Sequence, residues 1–128
     1  MNDFTYAIYF LHAQIMKTLA QPRRLMILDY LQSGEKSVGE LAELLGLPQA
    51  NVSQHLAALR SQEIVATRRE GNTIFYSLVD PRILKACDIF HDFLSDRMKN
   101  NEAFASHFPR LRPLRDAEPA PSGKTAER

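Results

Sequence analysis

The sequence predicts a mainly α-helical domain bearing one two-stranded β wing, and three observations carry that expectation. Five segments repeat apolar residues at helical spacing, two of them are separated by a turn of only a few residues, and one Gly-Asn turn is flanked by β-branched and aromatic runs.

Phe4 to Leu19 places Phe4, Ile8, Leu11, Ile15 and Leu19 on one helical stripe, widened by Tyr6, Tyr9 and Phe10. Such a helix is apolar over more than one face and wants a second surface to bury against. Pro22 suits the first turn of a second helix carrying Leu25, Ile27, Leu28 and Leu31, which Ser33-Gly34 stops. Ser37 and Glu40 have the S-x-x-E capping-box spacing, so a short third helix runs from Val38 to Leu45, closed by Gly46. Pro48 opens a fourth helix that reaches about Gln62, a few residues after the third ends. Ile64 to Arg69 and Thr73 to Leu78 then flank Glu70-Gly71-Asn72 as a hairpin, where Gly and Asn tolerate positive φ. Asp80-Pro81 leads into a last helix with Ile83, Leu84, Ala86, Cys87, Phe90, Phe93, Leu94 and Met98, again more apolar than one core face requires.

Packed helices, a short turn and a hairpin directly after them make a winged helix-turn-helix, an order that sets one helix and one ribbon side by side against a duplex. In the fourth helix (48–62), Val52, Leu56 and Leu59 can face a core while Gln49, Asn51, Ser53, Gln54 and His55 crowd the opening turns. Gln and Asn pair with adenine edges in the major groove, and Ser or His with several acceptors or phosphates. The wing (64–78) adds Arg68 and Arg69 before its tip and Asn72 and Thr73 at it, which suits backbone or minor-groove contact. Ser37 and Arg60 are further candidates for phosphate contacts. A plainer reading has Arg68 and Arg69 solvating an edge strand, and His55 packing or capping locally.

A chain of 128 residues supports one modest core. The domain is expected over residues 1–100, and the Pro-rich, charged segment 101–128 is expected to be a disordered tail. The formal net charge of +1 leaves charge placement, not the total, to decide about partners. No apolar run approaches the roughly 20 residues that span a bilayer, and the N-terminus lacks a secretory signal, so the expectation is cytoplasmic with no membrane partner. Cys87, the one cysteine, leaves no Cys-x-x-Cys motif. No Gly-rich phosphate loop, nucleophile elbow or intact metal motif points to an enzyme.

The stretches "LAQPRRLMILDYL", "EKSVGELAELLGLPQANVSQHLAALRSQEIVATRREGNTIFYSL" and "DPRI" resemble the ArsR/SmtB family of bacterial winged-helix repressors over about Thr18 to Ile83. Within it, the chain is similar to the branch of biofilm growth-associated and sulfide-responsive repressors. The resemblance implies a homodimer bound to an inverted-repeat operator in double-stranded DNA. It also implies an interface from the first and last helices, through Phe4, Ile8, Leu11, Ile15, Leu84, Cys87, Phe90, Phe93 and Leu94. Those are the two helices found above to be overly apolar.

The family's sensor sites are altered. Where soft-metal sensors carry Cys-Val-Cys this chain has Ser37, Val38 and Gly39, and where zinc sensors carry histidines after an aspartate it has Arg82 and Phe93 after Asp80. Asp29 stands where the sulfide-responsive branch has its first cysteine, leaving Cys87 alone. Cys87 and His91 share a helix face and His12 could complete a ligand set, but a plain packing role for Cys87 is the better expectation. No cofactor is therefore expected, and a metal or thiol-reactive inducer stays as an alternative, as does a winged-helix protein-interaction module without sequence-specific DNA binding.

Overall fold

Local signals in the sequence set most helix boundaries. In a computed structural model, which describes residues Met1 to Ala103, the order is α1 (Asp3–Leu19), α2 (Pro22–Leu31), β1 (Lys36–Ser37), α3 (Val38–Leu45), α4 (Gln49–Ser61), β2 (Val65–Glu70), β3 (Thr73–Leu78) and α5 (Arg82–Lys99). The segment expected to be a disordered tail lies almost wholly outside the described residues. Two compact units divide the chain, Met1–Asp80 and the part from Pro81 onward.

In the first unit, Asn2 Oδ1 caps α1 by accepting the Thr5 N–H at 2.7 Å. Pro22 begins α2, where its missing N–H costs no hydrogen bond. Ser37 and Glu40 form the reciprocal capping box of α3, at 3.1 and 3.0 Å, and Gly46 ends that helix at φ +67°. Pro48 is extended and stands just outside α4 as its cap, giving no side-chain hydrogen bond, so the helix starts one residue later than its sequence suggests.

The wing belongs to a sheet of three antiparallel strands in the order β1-β3-β2, not two. Lys36 pairs with Tyr76 and Ser37 with Phe75, so the connection before α3 covers part of the outer edge of β3. Two residues are too few to show an alternating pattern, which is why the sequence gives no sign of β1. At the tip Glu70 pairs with Thr73, leaving Gly71-Asn72 as the turn, and Gly71 alone takes positive φ there, at +62°.

Apolar residues from α2, α3, α4 and the start of the wing form the core of this unit. Ile27, Leu28 and Leu31 of α2, Leu41 and Ala42 of α3, Val52, Leu56 and Leu59 of α4, and Ile64 and Val65 at the start of the wing are buried. They occupy the helical and strand positions that the periodicity marks. Opposite them, α1 leaves Phe4, Tyr6, Ile8, Tyr9, Phe10, Leu11 and Met16 exposed. In the second unit, α5 buries Leu84 and Met98 and exposes Ile89, Phe90, Phe93 and Leu94. The Arg97 guanidinium lies over the Phe93 ring, 5.4 Å from its centroid.

Leu56 is fully buried, so Leu56→Ala is expected to cost about 2–5 kcal/mol in denaturant unfolding. Glu63 leaves α4 at φ +57°, a left-handed conformation that glycine adopts without steric penalty. Glu63→Gly is therefore expected to raise stability by about 0.5–1 kcal/mol, and a lowered melting temperature would contradict that account.

Candidate nucleic-acid interface

The apolar seam of α4 decides which of its side chains reach solvent. With Val52, Leu56 and Leu59 buried, Gln49, Ala50, Asn51, Ser53, Gln54, Ala57 and Arg60 are exposed. Asn51, Ser53 and Gln54 thus present hydrogen-bonding groups together on the first two turns. Ala50 and Ala57, which the sequence reading passed over because they carry no polar group, share that arc and let the backbone approach a surface closely. Gln49 lies back along α3: a Cβ built on Gly39 would stand 3.4 Å from Gln49 Nε2, an ordinary contact distance. Arg60 sits on the last turn, about 16 Å along the axis from Gln49, where only a different part of a bound polymer could meet it. Ser37 accepts the Glu40 N–H through its hydroxyl oxygen, so its first role is to begin α3.

His55 lies on the border between the buried and exposed arcs and is half-buried. Its Nδ1 accepts a hydrogen bond from Arg24 Nε at 3.2 Å, and Arg24 Nη1 donates to the Thr18 carbonyl at 3.0 Å. The imidazole is neutral in this arrangement, with its proton on Nε2. Burial depresses its pKa below the ordinary value of 6.5, and the charges of Arg24 and Arg23 depress it further. Arg24 was visible in the sequence only as part of "QPRRL"; its partner lies 31 residues away, beyond any local pattern.

The two wing arginines have opposite surroundings. Arg68 donates through Nε to both Glu35 carboxylate oxygens, at 3.2 and 3.1 Å, and through Nη1 to Glu70 at 2.7 Å. Its guanidinium also lies 4.9 Å from the Phe75 ring centroid. Hydrogen bonds from Arg68 hold the Glu35 carboxyl below the usual carboxylate range, and Glu35 and Glu70 in turn raise the Arg68 pKa. Arg69 instead donates Nε to the Gly71 carbonyl at 3.2 Å and makes no ion pair among the described residues. Asn72 and Thr73 are exposed at the tip.

Comparison with known proteins gives this geometry its context. Residues 21–67, from the start of α2 into the wing, match the family model described as bacterial regulatory protein, arsR family. Nodulation protein NolR of Rhizobium meliloti is 43% identical over 84 residues, covering 66% of this chain and 69% of that protein. The chain belongs to the arsR family. Its fold is that of the family's winged helix-turn-helix regulators. The homodimeric winged helix-turn-helix DNA-binding domain from Mycobacterium bovis superposes with a TM-score of 0.70 at 29% identity, covering 79% of this chain and 94% of that one. The transcriptional repressor BigR from Xylella fastidiosa gives 0.62 at 35% identity, covering 73% and 96%.

Cys87 and His91 stand one turn apart on α5, both half-buried, while His12 is exposed on α1. His91 Nδ1 is buried with no hydrogen-bond partner among the described residues. No group of three or more His, Cys, Asp or Glu side chains among the described residues is placed to hold a metal ion. No described helix is long and apolar enough to cross a membrane.

The depressed His55 pKa has a defined consequence for stability. The unfolded chain takes up a proton near pH 6.5 while the folded protein resists it, so the contribution of the neutral imidazole is complete above that pH and declines as pH falls through it. The melting temperature of the wild type is expected to fall between about pH 7.5 and 5.5 more steeply than that of H55N, which has no titrating group there. Parallel curves for the two proteins would remove His55 as the cause.

Proposed function

We propose that the protein is a homodimeric DNA-binding transcriptional repressor of the arsR type, occupying an inverted-repeat operator with α4 in successive major grooves and the wing on the flanking backbone. The observation that carries the reading is the exposed Asn51, Ser53 and Gln54 on a helix whose opposite face is fully buried, beside a wing, in a chain of this family. These three side chains take the base-edge role. Arg69, Asn72 and Thr73 contact the backbone or minor groove, with Gln49 and Arg60 at the margins.

Dimerisation is supported by the apolar side chains left exposed on each of two helices. Phe4, Ile8 and Leu11 on α1 and Phe90, Phe93 and Leu94 on α5 are all exposed, more apolar surface than single scattered residues account for. Ile15 and Cys87 are half-buried and Leu84 is already buried within the single chain, so these three contribute less to a new contact. Two recognition helices held by one dimer match half-sites about one helical turn apart, and any effector acts by favouring a dimer whose helices no longer match that spacing. No resident cofactor is assigned. If a metal or thiol-reactive inducer acts through Cys87 and His91, C87S must abolish its effect.

The test is selection of a duplex from a random-sequence pool by the purified protein, followed by affinity measurement across salt. Affinity is expected to fall by about a hundredfold or more between 50 and 200 mM salt, as for a protein neutralising several phosphates. Gln54→Ala is expected to weaken the selected duplex while leaving the melting temperature within a degree or two, and R69A to reduce the salt slope by about one. L11E together with F93E should yield monomer in sedimentation and lose the selected duplex. A folded wild type that enriches no sequence and ignores salt would instead favour a protein-docking role.

A further inference from the structure

Outside the exposed arc of α4, Arg24 links two helices. It is a half-buried arginine without a carboxylate partner among the described residues, and its two hydrogen bonds run to two different helices. One goes to the Thr18 carbonyl in the last turn of α1, among the carbonyls a helix end leaves without an internal donor. A cation at that end also meets the negative pole of the helix. The other goes to His55 Nδ1 on α4. A planar guanidinium fixes the directions of both bonds at once, which a lysine cannot do.

We propose that Arg24 is a positioning residue for DNA recognition: it clamps His55 to the carboxyl end of α1 and so sets where Asn51, Ser53 and Gln54 stand. The inference rests on the DNA-binding reading above. His55 acts here through Arg24, as an acceptor at Nδ1, and not by reading a base. It lies four residues after Asn51, one turn along the same helix, so a shift in its anchoring moves the reading residues with it. Displacements on the order of 1 Å are enough to spoil bidentate contacts to base edges. The helix whose exposed apolar face supports dimerisation is the one whose last turn Arg24 holds, so the same clamp ties the seating of α1 to the seating of α4.

The two amides of His55→Asn and His55→Gln separate the alternatives. Asparagine places an oxygen where Nδ1 sits and keeps the Arg24 bond, whereas glutamine places its polar end nearer Nε2 and gives the Nδ1 position up. Each variant, with R24Q, is compared with wild type for its affinity ratio between the selected duplex and a scrambled one, at a temperature where melting curves show all of them folded. H55Q and R24Q are expected to lose about tenfold in that ratio, and H55N to stay within about twofold of wild type. The reverse order, loss in H55N with retention in H55Q, would mean His55 reads DNA through Nε2 and would overturn the proposal. Equal loss in both amides, or no loss in any variant, would overturn it as well.

A second measurement needs no DNA. Nitrogen NMR of the free protein should report His55 as the Nε2–H tautomer with Nδ1 hydrogen-bonded, and R24Q should remove that signature. A wild type with the signature that selects no duplex fails on function alone, while a wild type that selects a duplex but lacks the signature fails on the clamp alone.

Discussion

The structure depends on one apolar seam, the burial of Val52, Leu56 and Leu59 against the side chains that α2 and α3 contribute. Without it α4 would be a poor helix: its cap is a proline with no side chain to bond the first amides, and its opening turns carry short polar groups that compete with helix geometry. Tertiary burial overrides those local costs. The same seam fixes the rotation of the helix, and rotation is what turns Asn51, Ser53 and Gln54 outward as a set. The buried seam and the surface proposed to read DNA are thus opposite faces of a single constraint.

Around that seam the polar residues divide between those that hold the protein together and those left for a partner. Ser37, His55 and Arg68 look alike in sequence to the residues that face solvent, yet each has a defined internal bond: to Glu40, to Arg24, and to Glu35 and Glu70. The Arg68 pairs are exposed, so they guide geometry more than they stabilise. Their effect is to fasten the wing to the segment before α3. Net positive charge on the ribbon is correspondingly smaller than a count of arginines suggests, and it is concentrated at Arg69.

Elements with strong local chemistry were legible from the residues alone. The capping box at Ser37 and Glu40, the helix end at Gly46, the hairpin around Gly71 and the core positions of α2 and α4 each rest on a pattern spanning a few residues, and each is where that pattern puts it. Illegible features depend on contacts distant in sequence or on segments too short to have a period. β1 is two residues long, and Arg24 meets His55 across 31 positions. For the candidate site, spacing identified the helix and the wing but could not say which of their polar side chains would find a partner inside the chain.

The hairpin gives that last point a wider meaning. Arg68 stands opposite Phe75 and Arg69 opposite Ile74, so neighbours in sequence project to opposite faces of the ribbon. Their different surroundings follow from the two-residue turn at Gly71-Asn72, which sets the register, and not from any chemical difference between two identical side chains. Slipping β2 by one residue would exchange them, sending the anchored guanidinium outward and the outward one toward Glu35. The length of the turn therefore works as an address: lengthening or shortening this loop by one residue would reassign which cation meets a partner without changing a single arginine.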